Sequence, residues 1–263
     1  MEENLFSYNF EPSTLDKIYW RNTKNDNRIK IEDKDCAKFP YSAIGFIQLF
    51  FDYDIVSYRT GILIGENIVL TAGHNLFDYR KNPNNIKEKL GRPKKIIFYP
   101  GLSGNKSKYK SFESTTFYYP KEFPDKNYED YGVIVFKENI ALIVGGYYEV
   151  KIYNDDENYP ETFFTTGYPM NRSSNNNSVF YLYEGKGKIT NVDYERGVFT
   201  HEIKASYGQS GSGLCYYDQE KNKYYVIGVH IASNGFNDNE TYSTMITKKR
   251  YNNIIKYVDS TKN

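Results

Sequence analysis

The residues most able to do chemistry stand in three places. The stretch SYGQSGSGL, from Ser206 to Leu214, is small, glycine-rich and hydroxyl-bearing. Glycines at 208 and 211 permit a tight turn and close backbone approach. A serine at the tip of such a turn is placed to be a nucleophile, with backbone N–H groups beside it. A plain glycine- and serine-rich hairpin loop would share that composition. The second place is Thr71-Ala72-Gly73-His74, which ends a hydrophobic segment, and the third is Asp130, directly before YGVIVF. A hydroxyl is a poor nucleophile at neutral pH and needs a base with a pKa near 7, which histidine supplies. The imidazole needs a carboxylate to fix its tautomer and stabilise its cation. In chain order the set reads His74, Asp130, Ser210, one of the orders in which such triads recur. Glu129 and Asp125 are rival carboxylates, and Ser212 is a rival hydroxyl.

The elements that must position these groups are short strands. KFPYSAIGFIQLFF (38–51) reads as a strand after a proline-led turn. SYRTGILI (57–64), Gly65-Glu66-Asn67 and IVLTAGH (68–74) read as a β-hairpin. KKIIFYPG (94–101), STTFYYP (114–120) and YGVIVF (131–136) continue the pattern across the polar loop 121–130. The second half repeats it in ETFFTTGYP (161–169), the strands of 178–203, the segment after Gly213, and YYVIGVHIAS (224–233). NRSSNNNS (171–178) reads as a surface loop. Tyr251, Ile254, Ile255 and Val258 fall at i, i+3, i+4, i+7 and predict one amphipathic helix over 247–258. Many short strands with one good helix predict an all-β fold, a barrel or sandwich. Residues 1–28 are polar and irregular, an N-terminal extension that is either a pro-segment or a surface arm.

Composition narrows the function. The chain has 263 residues, 39% of them hydrophobic, with 28 tyrosines and 17 phenylalanines that favour strands. A net charge of +1 gives no electrostatic case for nucleic acid or an anionic membrane. No apolar run approaches the roughly 18 residues of a membrane span. The acidic start MEENLFSYNFEPS has no basic or apolar signal region. On that reading the protein stays inside the cell, or a signal was removed ahead of residue 1. Cys36 and Cys215 either pair or stay free. Three histidines without an HExxH spacing, and no D-x-D-x-D loop, give no metal site, and no cofactor is expected.

LTAGHNLFD (70–78), EDYGVIVF (129–136), TTGYP (165–169), GQSGSG (208–213) and IGVH (227–230) resemble chymotrypsin-fold serine proteases. They are most similar to the bacterial glutamyl endopeptidase branch, and NDNRIKIEDKDCAKFPYSAIGFI (25–47) is similar to that branch's mature start. The resemblance implies two six-stranded antiparallel β-barrels with the site in the cleft between them. The first barrel is expected over 29–145 and the second over 146–263, with the C-terminal helix packed on the second. It also implies Ser210 as nucleophile, His74 as general base then acid, and Asp130 as orienting carboxylate. The N–H groups of Gly208 and Ser210 become the oxyanion hole.

The same resemblance places His230, Ser206, Ile231, Ala232 and Ser233 in the substrate pocket. His230 would pair with a glutamate carboxylate before the cut. The family's pocket hydroxyl lies five residues before the nucleophile, where this chain has Ala205, and an aromatic and glycines usually follow the histidine. Gln209 cannot make the ion pair that activates trypsin-type zymogens. By analogy, cleavage near Trp20–Thr23 would activate the chain, leaving the full chain weakly active. The chain is expected to be a secreted monomer acting on protein or peptide substrates. Competing readings are an intracellular or housekeeping protease of other specificity, and a silent homologue that binds without cutting.

Overall fold

The computed structural model describes residues 5–8, 26–52, 54–82, 85–172, 179–233 and 240–260. Two sheets dominate. The first runs Phe112–Ser114, Lys95–Pro100, Ile44–Phe50, Val56–Leu63, Ile68–Thr71, Gly132–Val135, Thr116–Tyr118, all antiparallel. Its two edge strands, Phe112–Ser114 and Thr116–Tyr118, are consecutive in the chain and part only at Thr115. They are one strand bent at a corner, which closes the sheet on itself. The second sheet runs Ile189–Asp193, Val198–His201, Thr241–Met245, Lys223–Ser233, Gly213–Asp218, Phe163–Gly167, Tyr183–Gly187, Ile29–Lys30. Here Tyr183–Gly187 and Ile189–Asp193 part at Lys188, a second bent strand. Counting each bent strand once gives six strands per barrel, as the resemblance implied. Ile29–Lys30 and the parallel pair Glu149–Val150 are additions to the second.

Strand pattern explains the burial. Ile44–Phe50 and Val56–Leu63 are buried almost throughout, so they read as near-continuous apolar runs rather than alternating ones. The aromatic surplus fills the space between the barrels. Phe46 stacks on Phe180 at 4.3 Å between centroids and meets Tyr168 edge-on at 5.5 Å. Tyr168 and Phe180 come from the second half of the sequence, so the first barrel's core is completed by the second barrel's connections.

Two expected boundaries move. Residues 29–30 pair with Tyr183 and Glu184 of the second sheet, and the first barrel's strands begin at Ile44. The helix, Lys248–Ser260, lays its apolar face on the first barrel rather than on the second. Tyr257 stacks on Tyr118 at 4.3 Å, and Asn253 Nδ2 donates to the Tyr131 hydroxyl at 3.1 Å. The periodicity marked its apolar face correctly but carries no information about which surface receives it. Of the N-terminal extension, Phe6–Ser7 pairs with Lys106–Ser107. Cys36 and Cys215 are both buried and free.

Arg250 fastens the helix. It is 2% exposed. Its Nε donates to Glu129 Oε2 at 3.2 Å, Nη1 to the carbonyls of Gly197 and Met245, and Nη2 to those of Tyr128 (3.0 Å) and Arg196 (2.8 Å). All five guanidinium donors are used, and they tie the helix to the loop before Asp130 and to a turn of the second barrel. Replacing Arg250 with Met leaves the buried Glu129 carboxylate only the longer Lys249 contact at 3.7 Å and strands four carbonyls. We expect a loss of about 3–5 kcal/mol in urea-unfolding free energy, and a much smaller loss for Lys256→Met on the exposed side of the same helix.

Candidate active site

His74 does not lie on a strand. The hairpin strand Ile68–Thr71 ends, and a single helical turn, Gly73–Leu76, carries it. The turn points the His74 backbone N–H and its imidazole toward one carboxylate. Asp130 Oδ1 accepts from His74 N at 2.8 Å, and Asp130 Oδ2 lies 2.7 Å from His74 Nδ1. With the carboxylate accepting at Nδ1, the neutral ring keeps its proton there and Nε2 carries the lone pair. Asp130 is buried and its backbone carbonyl accepts from Thr244 Oγ1 at 3.2 Å. The rival Glu129 is turned away into the Arg250 clamp, which separates the two adjacent acids by role.

The loop 206–213 approaches from the second barrel. Gly208 has φ +94° and Gly211 φ +93°, a region that L side chains rarely adopt. A Cβ on Gly211 would lie 2.2 Å from the Thr60 carbonyl oxygen, and one on Gly208 2.4 Å from that of Tyr168. Ser210 is half-buried on this loop. Its carbonyl accepts from Thr60 N (3.2 Å) and from Asn75 Nδ2 (3.0 Å), the side chain next to His74. Thr60 Oγ1 donates to the Gly208 carbonyl at 2.9 Å. The loop is thus fixed beside the histidine by the first barrel. The amide N–H groups of Gly208 and Ser210 donate to no acceptor among the described residues. Ser210 Oγ is not hydrogen-bonded to the imidazole, a contact that commonly forms or tightens only with substrate bound. Ser212 Oγ is buried inside the sheet junction, away from solvent.

Gln209, which the sequence marked, and four groups that it did not, Asn75, Arg28, Arg59 and Arg80, complete the site. Gln209 is fully buried, and its Oε1 accepts from Ser206 N at 3.0 Å and from Arg28 Nη1. The Tyr207 hydroxyl accepts from Arg59 Nη2 (2.7 Å) and Arg80 Nη1 (2.9 Å). Asn75 directly follows His74 in the sequence. Arg28, Arg59 and Arg80 lie 182, 151 and 130 residues before Ser210, and nothing in their local sequence announces the pairing.

The pocket residues separate. His230 is 2% exposed on Lys223–Ser233, and its N–H and carbonyl pair with Ser212 and Gly211. Ile231 is half-buried at a register shift, while Ala232 and Ser233 are exposed. Ala205 is buried and Ser206 half-buried. Desolvation pushes the His230 imidazole down to about 3, with the charges of His74 and Arg28 acting in the same direction. His201 lies in the same interior, its Nε2 2.9 Å from Ser243 Oγ, and burial pushes it to about 3 as well, helped by His230. Among the described residues no group of three or more His, Cys, Asp or Glu side chains is placed to hold a metal ion. The expected processing site at 20–23 and most of the loop 171–178 lie outside the described residues.

Two buried neutral histidines give a stability signature. Each takes up a proton near pH 6.5 when unfolded but only near pH 3 when folded. Their contribution is intact above pH 6.5 and is lost as pH falls through that window, by about 1.4 kcal/mol per pH unit for each histidine. His201→Gln should therefore flatten the acid limb of unfolding free energy against pH between 6.5 and 4, measured by urea titration beside the unsubstituted chain.

A sequence model of the trypsin family matches residues 52–255. The chain is 27% identical over 238 residues to an extracellular metalloprotease of Bacillus subtilis, covering 87% of this chain and 67% of that one. It is 24% identical over 242 residues to a glutamyl endopeptidase of Bacillus licheniformis, covering 90% and 68%. Its fold is similar to the solved structure of a Glu endopeptidase, with a TM-score of 0.70 at 24% identity over 90% of this chain and 98% of that one.

Proposed function

The chain belongs to the trypsin family of serine proteases, and from that membership we propose that it is an endopeptidase working through Ser210, His74 and Asp130. Ser210 Oγ attacks the scissile carbonyl while His74 Nε2 takes its proton. Asp130 holds the Nδ1 proton and stabilises the imidazolium. The oxygen of the tetrahedral intermediate sits at the N–H groups of Gly208 and Ser210, where one such donor is typically worth about 2.7–4 kcal/mol. His74 then protonates the leaving amine, and the acyl-enzyme on Ser210 is released by water activated at the same nitrogen. The observation that carries this reading is the double grip of Asp130 on His74, at 2.8 and 2.7 Å. That grip serves no evident packing purpose but sets the tautomer a base needs.

For specificity we propose acidic residues, glutamate first, before the cut, with His230, Ser206 and Ile231–Ser233 forming the pocket. The glutamyl endopeptidase relative supports this, and so does a histidine at the floor of the loop. Burial that keeps His230 neutral favours a second reading, a protease of other specificity. A neutral imidazole offers a substrate carboxylate one N–H but no charge. We place the activity outside the cell, on protein or peptide substrates, with the chain acting as a monomer.

Ser210→Ala should abolish both labelling by a fluorophosphonate probe and peptide turnover. Asp130→Asn should leave the fold intact and lower kcat on the order of 10⁴-fold through the wrong tautomer. A peptide-library profile should show glutamate enriched immediately before the cut, and His230→Gln should erase that enrichment while sparing a neutral ester. Absence of enrichment in the unsubstituted enzyme selects the second reading.

A further inference from the structure

Arg28 is the most thoroughly bonded cation near the site. Its side chain is 0% exposed. Nε and Nη2 donate to the two oxygens of Asp26 at 2.8 and 2.6 Å. Nη2 also donates to Asn171 Oδ1 at 3.2 Å. Nη1 donates to Ser206 Oγ at 2.9 Å and to Gln209 Oε1. Asp26 is shared with Arg172, whose Nε and Nη2 lie 3.0 and 2.8 Å from Oδ2. Burial alone would raise the Asp26 carboxyl, but the hydrogen bond and charge of Arg28, joined by Arg172, hold it at about 2. A segment far from the nucleophile in sequence thereby plants a fixed cation under the nucleophile loop.

The two loop residues that Arg28 reaches are interleaved with the oxyanion donors. Gln209 lies between Gly208 and Ser210, and Ser206 opens the turn. Gln209 Oε1 accepts from Ser206 N as well, so one amide oxygen closes the turn from inside. The backbone bond from Gln209 N to the Ser206 carbonyl at 3.1 Å completes a small ring. Within that ring Gln209 has a choice of amide orientation. Two donors, Arg28 Nη1 and Ser206 N, point at the same atom and force it to be the oxygen. Gln209 Nε2 has no partner among the described residues. A fully buried amide held with its nitrogen unsatisfied is an orientation its donors impose, and of the two donors Arg28 is the one that comes from outside the loop.

We propose that Arg28 is a positioning residue for the oxyanion hole. By fixing Gln209, it holds the N–H groups of Gly208 and Ser210 in the direction a tetrahedral intermediate needs, and it does so in the full chain. The Arg28 side chain is fully buried, so its effect through Gln209 falls on kcat for every substrate alike. Its bond to the pocket residue Ser206 adds a KM effect on the glutamyl substrate alone, which a neutral ester separates. The proposal rests on the serine-protease reading above.

The test uses the full 1–263 chain, labelled with a fluorophosphonate and assayed with a glutamyl peptide and a neutral ester. Arg28→Met should lower kcat on both substrates on the order of 10²-fold, comparable to losing one oxyanion donor, with KM for the neutral ester nearly unchanged. Arg28→Lys should fall between, because an ammonium cannot span Asp26, Ser206 and Gln209 together. In Arg28→Ala, methylguanidinium should restore kcat in a saturable manner, measured at a temperature where the variant is fully folded without it, so that the gain is in turnover and not in the folded fraction. Gln209→Leu leaves Arg28 its other partners and should reproduce the kcat loss. The double variant Arg28→Met/Gln209→Leu should be no slower than either single one. Unchanged kcat in folded Arg28→Met, a loss confined to KM, or additive single effects would each overturn the inference while leaving the protease reading intact. So would a full chain that is inert until trimmed ahead of Asp26. Failure of the probe to label full and trimmed chains alike would overturn both.

Discussion

Thr60 is the contact on which the site depends. It is fully buried on the first barrel, and every polar atom it has is committed across or along the barrel junction. Its N–H donates to the Ser210 carbonyl and its hydroxyl to the Gly208 carbonyl, while that hydroxyl also accepts from Tyr168 N at 3.0 Å. Its own carbonyl accepts from Thr71 Oγ1, which in turn accepts from Asn75 Nδ2. The serine loop of one barrel therefore rests on the strand that leads to the histidine of the other. Catalytic geometry tolerates only fractions of an ångström of error. A junction built from directional bonds meets that tolerance better than apolar contact alone.

Two arginines extend the same logic to the loops on either side. Arg28 supports the loop that bears Ser210, and Arg250 supports the loop that bears Asp130. Each is almost fully buried, each has one carboxylate partner, and each spends its remaining donors on neutral oxygens. A buried guanidinium is costly unless all its donors are matched, so both sites are all-or-none. Either the loop takes the shape that completes the arginine, or the arginine is left uncompensated. Loops are ordinarily the softer parts of a fold. Here they are fastened by the least forgiving groups available.

The local patterns in the sequence carried the fold well and the site in part. His74, Asp130 and Ser210 were legible because each sits in a short motif whose residue types follow from its chemistry. The strands were legible because apolar and aromatic runs alternate with turn residues. The hairpin Asp78–Asn82 with Asn85–Gly91 was missed, since DYRKN and NIKEKLG are polar and have no strand-like run. His74 was expected at a strand end and lies on a helical turn, because four residues are too few for a periodicity to register. Arg28, Thr60 and Arg250 were invisible as site residues. Their roles are set by partners more than a hundred residues away, and a lone buried arginine looks in sequence like any solvated one. The helix face was readable, but its docking surface was not.

That docking surface also orders events in time. Lys248–Ser260 follows both barrels in the chain yet closes over the first, so Arg250 reaches Tyr128 and Glu129 only after both barrels have been synthesised. During synthesis the earlier parts of a chain fold first. The ribosome-bound protein therefore acquires its histidine, then its serine, and last the fastening of the loop that bears the acid. Until that helix has emerged and docked, the loop that bears Asp130 lacks its fastening.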